Sequence, residues 1–226
     1  PGLYARHRAI NEGVIDFGSL EGGLGPNFEL LFQIQPDLIV TEFFVGELIK
    51  PAEVVAPVVV LTELSWKEVM LNSGDLIGER EAAEQLLADY DERVQILREQ
   101  FDDPASITIS NVRLYHNRTS IQLPASFSGQ IISEVGFSFH AAQVALIADS
   151  PNQLEFDVSE ERIDLLDGDF LFLYGGFPDD TLTRLGTSNE TLVEAFQNEP
   201  IFQFLRAAES GNVYEADVHW AVTGIY

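Results

Sequence analysis

Hydrophobic residues along the chain recur in two spacings, one typical of buried strands and one typical of helices. Short runs of valine, isoleucine and leucine predict strands, and the segments between them repeat their apolar positions every three to four residues, as helices do. Strands that alternate with helices favour an α/β fold with a parallel sheet. The predicted strands are 14–17, 37–40, 58–61, 106–112, 120–123, 169–174 and 212–215, and the predicted helices are 28–34, 47–54, 75–101, 129–135, 190–197 and 201–208.

Two stretches of the chain share one layout of polar and apolar positions. In each, a helix-capping residue precedes a glutamate, an apolar helical turn, a chain breaker, an aspartate and an apolar strand. Glu29 with Asp37 and Glu161 with Asp169 have the same separation of 8 residues (37 − 29 and 169 − 161). We therefore predict two similar lobes, each of which presents one glutamate at the start of a helix.

The longest amphipathic segment is residues 75–101. Its apolar positions step by four or three residues, which places them on one face of a helix. About 25 residues that rise 1.5 Å each span about 40 Å, which is enough to bridge two lobes. We therefore predict an N-terminal lobe at 1–74, a bridging helix at 75–101 and a C-terminal lobe at 102–226. The apolar face consists of Ala83, Leu87, Tyr90, Val94, Leu97 and Phe101.

Composition excludes several classes of protein and site. The chain contains no cysteine, which excludes disulfides, thiolate metal sites and cysteine nucleophiles. Its formal net charge of −25 disfavours nucleic acid and anionic membrane surfaces as partners. An acid-rich surface with few lysines is typical of proteins from salty habitats, and against it a few arginines in a cleft would serve as anion-binding groups. No apolar run approaches the ~18–20 residues of a membrane span.

Five short motifs, taken in chain order, resemble the iron–siderophore and vitamin B12 binding proteins of ABC importers. Two of them begin the paired stretches, and three lie in or beside the predicted strands and helices of the second half, where the similarity is to the ferric-siderophore branch. They are Pro-Asn-x-Glu-x-Leu at 26–31, Val-Arg at 112–113, Ser-Phe-Ser-Gly at 126–129, Val-Ser-x-Glu at 158–161 and Gly-Asn-Val-Tyr at 211–214 ahead of Trp220.

The resemblance implies a fold of two Rossmann-like lobes joined by one rigid helix, and the family's first strand and helix and its final helix are expected to be missing from this chain. It implies a monomeric substrate-binding protein without enzymatic activity, in the periplasm or at the cell surface, either free or lipid-anchored. Such a protein captures a ferric siderophore in the cleft between its lobes and delivers it to an ABC permease. The chelator supplies the ligands of the iron, so the resemblance implies no cofactor and no protein metal ligand.

Glu29 and Glu161 are the residues that the resemblance assigns to the permease. In proteins of this family, one glutamate on each lobe docks onto arginines of the permease. From the residues alone, a glutamate in a first helical turn is also explained by the helix dipole and needs no partner. The matched position of the pair, together with the resemblance, favours docking.

Arg113 is the first candidate for ligand binding. It ends a predicted strand, and ligands of α/β proteins bind beyond the carboxyl ends of the strands. A guanidinium matches the carboxylate of an anionic chelate, although a surface salt bridge would also explain the residue. Arg6 is a second candidate, because it lies in a small basic cluster where the family places another loop of the cleft, although a frayed chain terminus would explain the cluster equally well.

Aromatic residues near strand ends are further candidates, because they can line a pocket for a large flat ligand. Trp220 and Tyr115 are the preferred residues. For any one of the aromatic residues taken alone, core packing is the more common explanation. The remaining candidates are Trp66, Tyr174 and Phe127.

Three other functions stay open at this point. The nearest keeps the importer class and changes the ligand to haem or cobalamin. An enzyme on a doubly wound fold would need a nucleophile elbow or a phosphate loop, but the sequence has no Gly-x-Ser-x-Gly motif and the glycine-rich turn at 22–25 lacks the lysine of a P-loop. A binding module in signalling is the third. The four histidines have no metal-ligand spacing, so a protein iron site is not predicted.

Overall fold

A computed structural model of the chain describes residues 28–41, 46–61, 65–148, 153–175, 188–216 and 220, with the backbone alone at 46–48, 160 and 189. The predicted strand at 14–17 and the candidate Arg6 lie outside the described residues. The chain divides into two compact units, unit 1 from Pro1 to Gln85 with Ile225–Tyr226, and unit 2 from Leu86 to Gly224. Across the described residues, no helix is both long and apolar enough to cross a membrane.

Unit 1 contains the first of the paired stretches, and the helices and strands predicted at 28–34, 37–40, 47–54 and 58–61 are confirmed. The helix ends at Ile34, and Gln35 then takes a positive φ of 52° before Pro36, which cannot continue a helix. The two strands pair in parallel, as alternation with helices predicts. The elements are α1 (Phe28–Ile34), β1 (Ile39–Thr41), α2 (Gly46–Glu53), β2 (Val58–Val60) and α3 (Trp66–Ile77).

The prediction of one helix over 75–101 is wrong. Helix α3 begins at a capping box formed by Ser65 and Glu68 and stops at Gly78, whose φ of 78° ends the helix in the left-handed region. Helix α4 (Arg80–Arg98) follows at once and has 19 residues, about 28 Å. The boundary between the two units falls inside α4.

Unit 2 contains a five-stranded sheet with the order β5-β4-β3-β6-β7. Strand β3 pairs in parallel with β6, and β6 with β7, while β4 runs antiparallel to β3 and β5. Every strand except β4 therefore has its carboxyl end at the same edge of the sheet. The strands are β3 (Ile109–Leu114), β4 (Thr119–Gln122), β5 (Glu155–Val158), β6 (Phe170–Gly175) and β7 (Val213–Glu215).

The two faces of this sheet differ in chemistry, because successive side chains of a strand point to opposite faces. One face carries the apolar core of unit 2, in which Val112, Ile121 and Leu173 are completely buried. The opposite face is polar and aromatic. Arg113 pairs with both Ser120 and Tyr174, and Ser120 pairs with Asp157, so these four side chains lie in one row across β6, β3, β4 and β5.

Within the described residues, four α-helices follow β4 in the chain. The helix after β4 is capped by the hydroxyl of Ser126 and ends at Gly136, which has a φ of 97°, as predicted. A Cβ atom at Gly129 would lie 2.2 Å from the carbonyl oxygen of Leu123, so this glycine permits the close approach of the helix to the end of β4. The helices are α5 (Phe127–Val135), α6 (Ala141–Ile147), α7 (Asn189–Gln197) and α8 (Arg206–Glu209).

Two predicted helical segments differ from expectation. The turn of the second paired stretch is a 3₁₀ segment, Glu160–Leu166, with non-helical backbone angles at Arg162, whereas its counterpart α1 is an α-helix. The helix predicted at 201–208 is divided into the 3₁₀ segment Pro200–Phe204 and α8, because Leu205 is extended between them. The two paired stretches therefore share the order of their elements, but the first contains an α-helix and the second a 3₁₀ segment.

Asp169, the aspartate of the second stretch, links the starts of β6 and β3 at the amino-terminal edge of the sheet. Its Oδ2 accepts hydrogen bonds of 2.7 Å from both the backbone amide and the hydroxyl of Thr108, at the entry to β3. Arg206 adds an ion pair of 3.0 Å to Oδ1. The backbone hydrogen bond from Thr108 is the main reason that the pKa of Asp169 lies below its usual value. Its counterpart Asp37 is exposed.

Candidate ligand-binding site

Arg113 and Tyr115 lie together at the carboxyl end of β3, as the sequence predicts. Arg113 is the penultimate residue of the strand, and Tyr115 begins the hairpin that leads into β4. The backbone amide of Tyr115 donates to the carbonyl of Arg118 across 2.9 Å and closes this hairpin. The tight connection brings a second arginine, Arg118, to the same place.

Two guanidinium groups contact the phenol ring of Tyr115. The Cζ atom of Arg118 is 3.7 Å from the ring centroid, and the Cζ atom of Arg113 is 4.9 Å from it. Both distances are within the range of cation–π attraction. Burial raises the pKa of Tyr115, so its hydroxyl stays protonated at neutral pH and acts as a hydrogen-bond donor.

Glu155, at the start of β5, places its carboxylate against this cluster. The carboxylate accepts hydrogen bonds from the Tyr115 hydroxyl at 3.1 Å and from Nε2 of Gln122 at 3.0 Å. It also forms ion pairs with Nη2 of Arg118 at 3.2 Å and with Nη1 of Arg113 at 3.6 Å. Donors from four side chains therefore converge on one carboxylate. We refer to Arg113, Tyr115, Arg118, Gln122 and Glu155 as the arginine cluster.

Asp157 lies two residues farther along β5 on the same face and completes the surroundings of Arg118. Its Oδ1 contacts Nη1 of Arg118 and accepts a hydrogen bond of 2.7 Å from the hydroxyl of Ser120. The hydrogen bond from Ser120, and then that from Arg118, hold the pKa of Asp157 below its usual value. Asp157 is therefore a carboxylate at neutral pH and balances part of the arginine charge.

Trp220 lies on the same face of the sheet, farther from the carboxyl edge. Its Nε1 donates to Oδ1 of Asn111 across 2.9 Å, and its ring is 5.5 Å from that of Phe172. Asn111 in turn donates to the hydroxyl of Ser128 on α5 across 2.6 Å. Because Asn111 is two residues before Arg113, Trp220 and the arginine cluster share one face of unit 2.

An apolar cavity of about 300 Å³ lies beside Trp220 within unit 2. Helices α4 and α5 and the strands β3, β6 and β7 all contribute to its walls. The residues that line the cavity include Phe101, Ile132, Phe172, Tyr214 and Trp220. The polar–aromatic face thus has a charged half at the carboxyl edge and an apolar half behind it.

Two of the predicted aromatic candidates are buried. Tyr174 is the row neighbour of Arg113, but its side chain is completely buried, and this burial raises its pKa. Trp66 is the first residue of α3 in unit 1 and is also buried, with Nζ of Lys67 at 5.4 Å from the ring centroid. A binding role for either of them stays a prediction, and each has a structural role in the core of its own unit.

Glu29 and Glu161 are both exposed at the start of helical segments. Glu29 lies in the first turn of α1. Glu161 lies in the 3₁₀ segment that follows β5, which is at the carboxyl edge of the sheet in unit 2. Their side chains are accessible to a partner, as docking requires.

Sequence reasoning did not single out Arg118 or Glu155. Arg118 is 5 residues after Arg113 (118 − 113), a spacing at which only a tight hairpin brings the two together. Glu155 is 37 residues from Arg118, and the contact depends on the pairing of β4 with β5. The alternation of Glu155 and Asp157 with Phe156 and Val158 was the available signal, because it predicts a strand with one acidic face. The residues with structural description contain no group of three or more potential metal-ligating side chains.

Comparison with known proteins places the chain among binding proteins. A family model described as periplasmic binding protein matches residues 13–218. A probable siderophore-binding lipoprotein of Bacillus subtilis is 28% identical over 204 residues, which cover 88% of this chain and 61% of that protein. An achromobactin-binding periplasmic protein of Dickeya dadantii is 29% identical over 208 residues, which cover 88% of this chain and 64% of that protein. The chain therefore spans less than two thirds of the length of either relative.

Solved structures show the same fold. The chain is similar to SirA of Staphylococcus aureus complexed with staphyloferrin B, with a TM-score of 0.71 and 21% identity over 84% of this chain and 65% of SirA. It is also similar to the triscatecholate siderophore binding protein FeuA of Bacillus subtilis, with a TM-score of 0.69 and 18% identity over 88% of this chain and 70% of FeuA. At these identities the similarity establishes the mixed α/β fold.

Proposed function

Because the chain belongs to the periplasmic binding protein family, we propose that it captures a ferric siderophore outside the cytoplasm and delivers it to the permease of an ABC importer. The relatives named above are a probable siderophore-binding lipoprotein and an achromobactin-binding protein, which supports an iron chelate as the ligand. A further relative in Bacillus subtilis is a Fe(3+)-citrate-binding protein. The protein performs capture and delivery, and no chemical step is required of it.

The observation that carries this proposal is the pair of arginines in contact with the ring of Tyr115 at the carboxyl edge of the sheet. Ligands of α/β proteins bind at that edge. A guanidinium forms charge-assisted hydrogen bonds with the carboxylate of a chelate, and a phenol ring provides a flat apolar contact. The apolar cavity beside Trp220 extends the same face and suits the less polar part of a large ligand.

We propose further that the two units are the two Rossmann-like lobes and that α4 is the helix that joins them. The division between Gln85 and Leu86, inside α4, supports this assignment. The bodies of the lobes would then be 1–74 and 102–226, with the end of α3 and the whole of α4 between them. A continuous 19-residue helix as the connection allows only small movements of one lobe relative to the other.

Permease docking is assigned to Glu29 and Glu161. Both are exposed, and each lies in the first turn of its helical segment. Exposed carboxylates can meet arginines of a membrane partner in charge-assisted hydrogen bonds that select the correct orientation. The residues that bind the chelate and those that bind the permease are therefore separate sets.

Titration of the purified protein with ferric chelates tests the proposed function. Trp66 and Trp220 are the only tryptophans, so fluorescence quenching reports on binding. We expect saturable quenching by at least one chelate of the citrate, catecholate or hydroxamate class, with an unchanged circular dichroism spectrum. A folded protein that responds to none of them contradicts the proposal. A strong Soret band after addition of haem would instead assign the protein to haem uptake.

A further inference from the structure

Glu155 occupies the position that an anionic ligand would need in the arginine cluster. Its carboxylate receives hydrogen bonds or ion pairs from Arg113, Arg118, Tyr115 and Gln122, at distances of 3.0 to 3.6 Å. These are the donors that would bind a carboxylate of a chelate. In this structure the protein supplies that carboxylate itself.

The formal charges of the arginine cluster and of the neighbouring Asp157 balance. Two guanidinium groups face two carboxylates, those of Glu155 and Asp157. An incoming anion therefore meets little net positive charge as long as both carboxylates stay in place. It reaches the donor atoms that Glu155 contacts on both arginines when Glu155 moves away.

Glu155 and Asp157 differ in their exposure and in the number of arginines with which each forms ion pairs. The side chain of Glu155 is 30% exposed and forms ion pairs with both Arg113 and Arg118. The side chain of Asp157 is 62% exposed, and its ion pair is with Arg118. Displacing Glu155 would remove its contacts with both guanidinium groups and with the Tyr115 hydroxyl at once.

On the basis of the proposed function, we infer that Glu155 is a specificity-determining residue, which the carboxylate of a bound chelate displaces from Arg113 and Arg118. A chelate with free carboxylates replaces each contact that Glu155 gives up. A chelate without carboxylates leaves the ion pairs intact and must bind elsewhere on the face. Arg118 is thereby assigned as a second ligand-binding arginine.

Glu155→Gln tests this inference, because glutamine keeps the size and one acceptor oxygen of glutamate and loses its charge. We expect the Kd for ferric citrate to fall about 10-fold, since the competing anion is gone. The Kd for a hydroxamate chelate without carboxylates should change less than about 2-fold in the same variant. An unchanged or weaker affinity for ferric citrate overturns the inference.

Asp157→Asn is the matched control. It removes the same formal charge from the same face of β5, yet it leaves the ion pairs of Glu155 in place. We expect a change of less than about 3-fold in the Kd for ferric citrate. If this variant gains as much affinity as Glu155→Gln, net charge alone sets the affinity and the position of Glu155 is irrelevant, which also overturns the inference.

A measurement on the unaltered protein covers the case in which a variant does not fold. Gallium citrate is a diamagnetic substitute for ferric citrate, so the side-chain resonances of the wild-type protein can be followed by NMR. We expect the carboxyl carbon of Glu155 and the Nε resonances of both arginines to shift on binding. Saturable binding of gallium citrate without these shifts overturns the inference, whereas binding of no chelate of any class contradicts the proposed function instead.

Discussion

The indole nitrogen of Trp220 donates a 2.9 Å hydrogen bond to the side-chain oxygen of Asn111, although the two residues are 109 positions apart in the chain. Asn111 is completely buried in the central strand of the sheet and also donates to Ser128. This hydrogen bond therefore attaches Trp220, which follows β7 in the chain, to strand β3. It also keeps the indole ring in contact with Phe172.

Trp220→Phe should lower the free energy of unfolding. Phenylalanine keeps the ring contact with Phe172 but leaves the buried oxygen of Asn111 without its donor, at a cost of about 1–3 kcal/mol. Urea unfolding followed by circular dichroism measures the loss. Tyr214→Phe, which removes the hydroxyl of a half-exposed ring on the same face, is the control and should change stability by less than about 0.5 kcal/mol. Equal stabilities for the two variants would contradict the structural role of the hydrogen bond.

Arg118→Lys should weaken the binding of ferric citrate about 10-fold, or about 1.4 kcal/mol. Lysine keeps the positive charge but has neither the planar contact with the Tyr115 ring nor the fork of parallel donors. Fluorescence titration measures the Kd. Arg162→Lys is the control, because Arg162 is exposed and its ion pair is with Asp164, within the same 3₁₀ segment. An Arg118→Lys variant that binds as tightly as the wild type would remove Arg118 from the site.

Replacement of both Glu29 and Glu161 by alanine should leave the affinity for the chelate unchanged and abolish import. Both side chains are exposed and lie outside the arginine cluster, so only the contact with the permease is lost. Uptake of radioactive iron by cells, together with titration of the purified variant, separates the two effects. Glu81→Ala removes another exposed first-turn glutamate, in α4, and should not affect uptake. Reduced chelate affinity in the double variant would be incompatible with a docking role.

Asp169→Asn should lower stability at neutral pH and have little effect in acid. The pKa of Asp169 is depressed in the folded protein, chiefly by the backbone amide of Thr108, so its contribution is present above the unfolded value near 3.8 and is lost as pH falls through the lower folded pKa. Because the side chain is 37% exposed, we expect a loss of only about 1 kcal/mol at pH 7. Urea midpoints at pH 7 and below pH 3 measure it. A difference between variant and wild type that stays constant over this range would refute the linkage.

Local patterns predict the order of elements well, because each of these elements has its own signal in the sequence. The apolar run of β6 and the terminating glycine of α5, Gly136, are confirmed. The break at Gly78 was missed, since a glycine is tolerated inside a helical pattern and only the backbone conformation shows that it ends α3. The 3₁₀ geometry of Glu160–Leu166 was missed for a similar reason, because α and 3₁₀ turns share one short-range pattern of apolar residues.

Some residues of the candidate site could also be predicted from the sequence, and others could not. Arg113 and Tyr115 could be found from the sequence, because their position at a strand end depends on local signals alone. Arg118 and Glu155 could not, because their contacts depend on the turn of the β3–β4 hairpin and on the register of β4 with β5. A shift of one residue in that register would move Glu155 to the other face of the sheet.

The amino-acid sequence by itself determined the α/β fold class, the paired stretches with Glu29 and Glu161, the excess of acid and the family resemblance, all of which are properties of short segments or of composition. Tertiary structure alone decided that two arginines lie beside one tyrosine and that Glu155 faces both of them. The reason is physical: strand pairing joins residues that are far apart in the chain, and the distances between their charged groups are set by the sheet.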